Sequence, residues 1–100
     1  MTDMFDLTGK HALVTGATGG IGEAIATAFH KAGATVAISA RRKDKLDELA
    51  ASLGDRVHVL PCDLSKRDEV VKLVDDAVGA MGRLDVIVNN AGLTRDNLFM

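Results

Sequence analysis

The chain has no tyrosine and no tryptophan among its 100 residues. A mechanism that needs a tyrosine proton donor therefore cannot be completed inside it. A single cysteine, Cys62, excludes an internal disulfide and any multi-cysteine metal site. His11, His30 and His58 stand 19 and 28 residues apart, so no closely spaced histidine pair exists to hold a metal, and no metal ligand is expected. The single proline, Pro61, leaves no Pro-rich linker. No apolar run approaches the roughly 18–20 residues of a membrane span. The acidic opening MTDMFDLTGK lacks the apolar stretch of a signal peptide. Neither charge sign dominates: 12 basic and 14 acidic side chains give a net charge of −2, which argues against an obligate nucleic-acid binder. These absences point to one globular domain in a reducing cytoplasm, with no membrane or nucleic-acid partner.

What is present is an alternation. Four short apolar runs, Ala12–Val14, Val36–Ile38, Val57–Leu60 and Val86–Val88, are rich in β-branched residues and are flanked by Gly, Asp, Pro or Asn. Such runs read as strands buried on both faces. Between them lie three stripes of helical period. Ile21, Ile25, Ala28, Phe29 and Ala32 form the first, and Leu46, Leu49, Ala50 and Leu53 the second. Val70, Val71, Val74, Val78 and Met81 form the third. Gly33, Gly54 and Gly82 follow as helix stops. Ser65 with Asp68 is the expected N-terminal cap of the third helix. The order β-α-β-α-β-α-β with right-handed crossovers predicts a Rossmann-type α/β fold, a parallel sheet in the order 3-2-1-4. The first two helices lie on one face and the third on the other.

The first strand runs into Thr15-Gly16-Ala17-Thr18-Gly19-Gly20-Ile21-Gly22, where helical period begins at once. Four glycines in seven positions exceed what a plain strand-to-helix turn needs. Glycine lets backbone approach a ligand closely, and the N–H groups and dipole of a helix start favour an anion. A pyrophosphate is the natural occupant; the competing reading is a tight turn that binds nothing. No Gly-Lys-Ser/Thr follows, so this is not a Walker-type loop. The second strand ends in Ser39-Ala40, without the acid that binds ribose hydroxyls in NAD-selective folds. Arg41, Arg42 and Lys43 follow instead. Cations at a helix start cost roughly 0.3–1 kcal/mol each, which makes an external anion a credible partner. A guanidinium suits a 2′-phosphate, so the expected cofactor is NADP(H), with Arg41 the better candidate. The competing reading is a solvated basic patch.

The spacing Thr15-Gly16-x-x-x-Gly20-x-Gly22 resembles the T-G-x-x-x-G-x-G motif of the short-chain dehydrogenase/reductase family. Asp63-Leu64 after the third strand and Asn89-Asn90-Ala91-Gly92 after the fourth match two further family motifs. The segment Leu93-Thr94-Arg95-Asp96-Asn97-Leu98 is similar to that of the bacterial 3-oxoacyl-(acyl-carrier-protein) reductases within it. The resemblance covers essentially the whole chain but only the N-terminal part of a family member. It implies a cofactor site of Gly16, Thr18, Gly20, Ile21, Gly22, Arg41, Asp63, Leu64, Asn90, Ala91 and Gly92. Asp63 would bond the adenine amino group, Leu64 would offer backbone contacts, and Asn90, Ala91 and Gly92 would line the adenosine ribose. Thr15 and Asn89 look like braces between the first and fourth strands.

By the same resemblance, a tyrosine, a lysine four residues later, a serine and an asparagine would perform the chemistry. None of these can be assigned here, so no catalytic residue is expected in this chain. The implied function is NADP(H)-dependent reduction of a 3-oxoacyl thioester on acyl carrier protein by a cytoplasmic homo-oligomer. The alternatives are an inactive nucleotide-binding fragment or a reductase of another carbonyl. Cys62 reads as a buried filler, and His11 and His30 as solvated.

Overall fold

The computed structural model describes residues 6–63 and 65–90. The alternating runs become β1 (His11–Thr15), α1 (Gly20–Lys31), β2 (Thr35–Ser39), α2 (Lys43–Leu53), β3 (Val57–Val59), α3 (Arg67–Met81) and β4 (Val86–Asn89). Among the described residues the strands form one parallel sheet, ordered β3-β2-β1-β4 as expected. Leu13 pairs with Ala37 on one side and Ile87 on the other, and Val14 with Ile38 and Val88.

Side chains of a strand alternate between faces, and that alternation divides the core. Ala12, Val14, Val36 and Ile38 pack with Ala26 of α1 and Leu46 and Leu49 of α2. Leu13 and Ala37 pack with Cys62 and with Leu73 and Ala77 of α3. Two helices thus cover one face and one the other. Leu13, Ile38 and Leu46 are fully buried, each contributing about 1.5–3 kcal/mol relative to exposure. β1 and β2 are buried along most of their length, whereas β3 and β4 at the two sheet margins are only half-buried.

Several helical details differ from the pattern reading. Ile21 is 66% exposed, and α1 instead buries Gly22, Ala26 and His30. The expected valine stripe of α3 is rotated. Leu73 and Ala77 face the sheet, Met81 packs beside them, and Val71 and Val78 are exposed. A run containing Val70-Val71-Lys72-Leu73-Val74 carries apolar residues around most of the helix, so period alone does not fix which side docks. Ser65 does not cap α3; Lys66 is the N-cap residue and makes no side-chain cap bond. The three glycines placed at the helix ends all have positive φ.

His30 is buried rather than solvated. Its Nε2 lies 2.6 Å from the Asp55 carbonyl oxygen, to which it donates. Arg56 completes this closure of the α1 C-terminus: Nη1 donates to the carbonyls of Ala34 at 2.6 Å and His30 at 3.3 Å. Orphan carbonyls at a helix end attract such donors. No helix of the described residues is long and apolar enough to cross a membrane.

Candidate functional site

The strands point their carboxyl ends at one rim of the sheet. In open α/β sheets ligands bind there, beside the position where the strand order reverses. Here that position lies between β1 and β4. A cleft of about 470 Å³ opens at this rim, lined by Gly16, Thr18, Ala40, Arg41, Arg42, Cys62, Asp63 and Ser65. It joins the loop after β1, the loop after β2 and the segment after β3. Five residues expected at the site from the sequence and its resemblance, Gly16, Thr18, Arg41, Asp63 and Gly20, therefore belong to this rim, the last through the start of α1.

The glycine loop is shaped by its own backbone. Gly16 has φ +64°, a left-handed conformation that side chains rarely adopt. The Ala17 N–H donates to the Ser39 carbonyl at 3.1 Å, and the Gly19 N–H to the Gly16 carbonyl at 3.2 Å. α1 then starts at Gly20, so the N–H groups of its first turn are the helix's unpaired donors. A Cβ at Gly20 would meet nothing within 4 Å. A Cβ at Gly22 would collide with the Gly16 carbonyl and come 2.8 Å from Asn90 Nδ2. The two glycines thus serve different needs: one leaves an open approach to the helix start, the other lets α1 pack against the loop. Ile21 between them points to solvent.

The end of β4 braces the loop. The Thr15 hydroxyl lies 3.2 Å from both the Val88 carbonyl oxygen and Asn89 Oδ1, in the bracing role expected of Thr15 and Asn89. Asn90 Nδ2 donates to the Gly16 carbonyl at 3.2 Å, so its side chain also supports the loop. Leu64, Ala91 and Gly92 lie outside the described residues.

The two arginines of the rim differ. Arg42 forms a two-pronged ion pair with Asp44, Nη2 to Oδ2 at 2.8 Å and Nε to Oδ1 at 3.2 Å. That pairing holds the Asp44 carboxyl below the usual carboxylate range. Lys43 pairs with Asp47 at 2.9 Å. Among the described residues Arg41 has no ion pair, so it is the guanidinium open to an external anion. The Ser65 hydroxyl and N–H beside Asp63 hold its carboxyl below the ordinary value, and Arg41 and Lys66 add to this. Cys62 is buried with Sγ 3.5 Å from the Glu69 carbonyl, and burial pushes its thiol up, as suits a packing residue.

Sequence reasoning missed Glu69, whose Oε1 accepts the Asp63 N–H at 3.0 Å. An acid in the first turn of α3 was visible, but its reach back past the N-cap depends on how the loop folds. It also missed the Ser65–Asp63 contact, for which the Asp-x-Ser spacing was a usable signal.

Comparison with known proteins gives a consistent result. The family model described as short chain dehydrogenase matches residues 10–100. The chain is 55% identical over 97 residues to nodulation protein G of Rhizobium sp. (strain N33), covering 97% of this chain and 40% of that protein. A solved structure of hydroxysteroid dehydrogenase from Escherichia coli superposes with a TM-score of 0.85 at 36% identity, over 91% of this chain and 39% of that one. A 3-ketoacyl-(acyl-carrier-protein) reductase from Brucella melitensis, complexed with NADH, superposes with a TM-score of 0.78 at 38% identity, over 82% of this chain and 34% of that one. The chain spans about two fifths of the length of these curated relatives, nodulation protein G among them.

Proposed function

The chain belongs to the short chain dehydrogenase family, and from that premise we propose that it forms the NADP(H)-binding part of an oxidoreductase acting on a carbonyl or alcohol carbon. The observation that carries this reading is the rim cleft, where Gly16 and Thr18 of the glycine loop, Asp63, and Arg41, which has no ion pair among the described residues, line one cavity. The residues fit a dinucleotide. The first-turn N–H groups of α1 suit the pyrophosphate. Gly16, with its left-handed backbone, and Thr18 line the approach. Ala40 stands where an acid would repel a 2′-phosphate, and Arg41 offers that phosphate a guanidinium fork. Leu64, Ala91 and Gly92 are assigned to the adenosine side by family resemblance. When bound, the nicotinamide would supply or accept a hydride.

The finer reading is reduction of a 3-oxoacyl thioester carried on acyl carrier protein, by a cytoplasmic homo-oligomer. The Leu93–Leu98 segment and the likeness to the Brucella melitensis reductase support it. The likeness to the hydroxysteroid dehydrogenase supports a second reading equally, a reductase of another carbonyl substrate. This chain has no tyrosine to act as general acid, so turnover requires residues beyond these.

Titration of the protein with NADPH and NADH tests the cofactor reading. NADPH is expected to bind more tightly, and Arg41→Ala to erase that preference through loss of about 1.5–3 kcal/mol for NADPH alone. Equal weakening of both cofactors would refute the role of Arg41.

A further inference from the structure

Asp63 has four polar positions, and three are committed. Its N–H donates to Glu69 Oε1 at 3.0 Å. Its carbonyl accepts the Lys66 N–H at 3.1 Å. Its Oδ1 accepts both the Ser65 hydroxyl at 2.7 Å and the Ser65 N–H at 3.0 Å. Among the described residues Oδ2 accepts no hydrogen bond. Both Asp63 and Ser65 line the rim cleft, with Arg41 in the same wall.

We infer that Ser65 is a positioning residue for base recognition, fixing Oδ1 of Asp63 so that Oδ2 remains as a single oriented acceptor for the amino group of an adenine. The inference rests on the dinucleotide reading above. A carboxylate free to rotate offers either oxygen in many directions and distinguishes donors poorly. One pinned at Oδ1 by two donors, with its backbone held on both sides, presents one acceptor in one direction. Two donors on Oδ1 also favour the ionised form, which accepts only. Such a group selects an N–H donor and rejects a carbonyl oxygen in the same place. Arg41 is suited to the ribose-phosphate side of the cleft, which leaves the base edge to Asp63. The Ser65 hydroxyl, freed from capping α3, is what the loop uses for this purpose.

The discriminating pair of ligands is NADPH and its hypoxanthine analogue, which carries a carbonyl oxygen where adenine carries the amino group. Dissociation constants for both are measured on the full-length protein that carries this sequence, as wild type, Ser65→Ala and Ser65→Thr. Melting curves establish that each is folded. Wild type is expected to favour adenine by about tenfold or more, the scale of a hydrogen bond to a charged group. Ser65→Ala is expected to lose about threefold or more of that ratio while keeping its NADPH to NADH ratio. Ser65→Thr, which retains a hydroxyl, is expected to restore it. Purely structural damage would weaken both analogues alike and leave their ratio unchanged, which would overturn the inference. So would a wild type that binds the two analogues equally. A wild type that binds no dinucleotide would instead overturn the cofactor reading, and this inference with it.

Discussion

A Cβ at Gly22 would run into the Gly16 carbonyl, whereas one at Gly20 would meet no atom within 4 Å. The difference separates folding from binding within a single motif. Gly22→Val is expected to destabilise the domain by roughly 1–3 kcal/mol or more, because backbone rather than a flexible side chain must give way. Gly20→Val is expected to leave the melting temperature nearly unchanged and to weaken dinucleotide binding about tenfold or more, because its branches would occupy the approach to the helix start. Thermal melts and cofactor titrations on the two variants check the pair. Near wild-type affinity in folded Gly20→Val would mean that this glycine serves the turn alone. At this scale the type of residue was legible in the sequence and its assignment was not. Four glycines announced a close approach, but only the fold shows which of them faces backbone.

The elements are joined by polar tethers, and Asp85, just before β4, makes one of them. Its Oδ2 accepts the His11 N–H at 2.8 Å, and its own N–H donates to the His11 carbonyl at 2.8 Å. Arg83 Nη2 donates to Oδ1 at 2.6 Å. The Arg83 guanidinium, followed by the His11 N–H, lowers its carboxyl from 3.8 to about 2. An unfolded chain therefore takes up this proton at higher pH than the folded one. The tether's contribution is complete above about pH 4 and is lost as pH falls through about 2. Asp85→Asn is expected to be less stable than wild type near neutral pH, with the gap closing between these values. Urea unfolding of both proteins along that range measures it. Asp44 and Asp63 are also lowered, so the difference between the proteins, not the wild-type curve alone, carries the result. A gap that stays constant down to pH 2 would refute the assignment.

For the molecule as a whole, the sheet places β4 at one margin, half-buried, and leaves Val71 and Val78 of α3 exposed on the face that carries one helix. Unpaired strand edges and apolar patches promote association. Residues 1–100 expressed alone are therefore expected to form dimers or larger species by light scattering. They are also expected to show no NADPH oxidation with an acetoacetyl thioester, since no tyrosine is present to protonate the product oxygen. A well-ordered monomer would contradict the first expectation. Turnover by a sample of confirmed mass would contradict the second.

The sequence by itself determined the alternation of strands and helices, their order in the sheet and the rim at which a ligand would sit. The elements follow from local signals, namely β-branched runs, helical period and helix-stop glycines, and their order follows from the handedness of the crossovers between them. The Thr15–Asn89 brace was anticipated too, through the family resemblance of the two motifs that carry these residues. Tertiary structure alone decided which face of α3 docks, because its valines surround the helix and only the shape of the sheet selects Leu73 and Ala77. It alone buried His30, through an Asp55 carbonyl 25 residues away. It also brought Arg41, Asp63 and Ser65 into one cleft, and let Glu69 reach back to the Asp63 N–H. These outcomes rest on which groups meet in space after the chain has turned, and on competition among polar partners that a linear spacing does not rank.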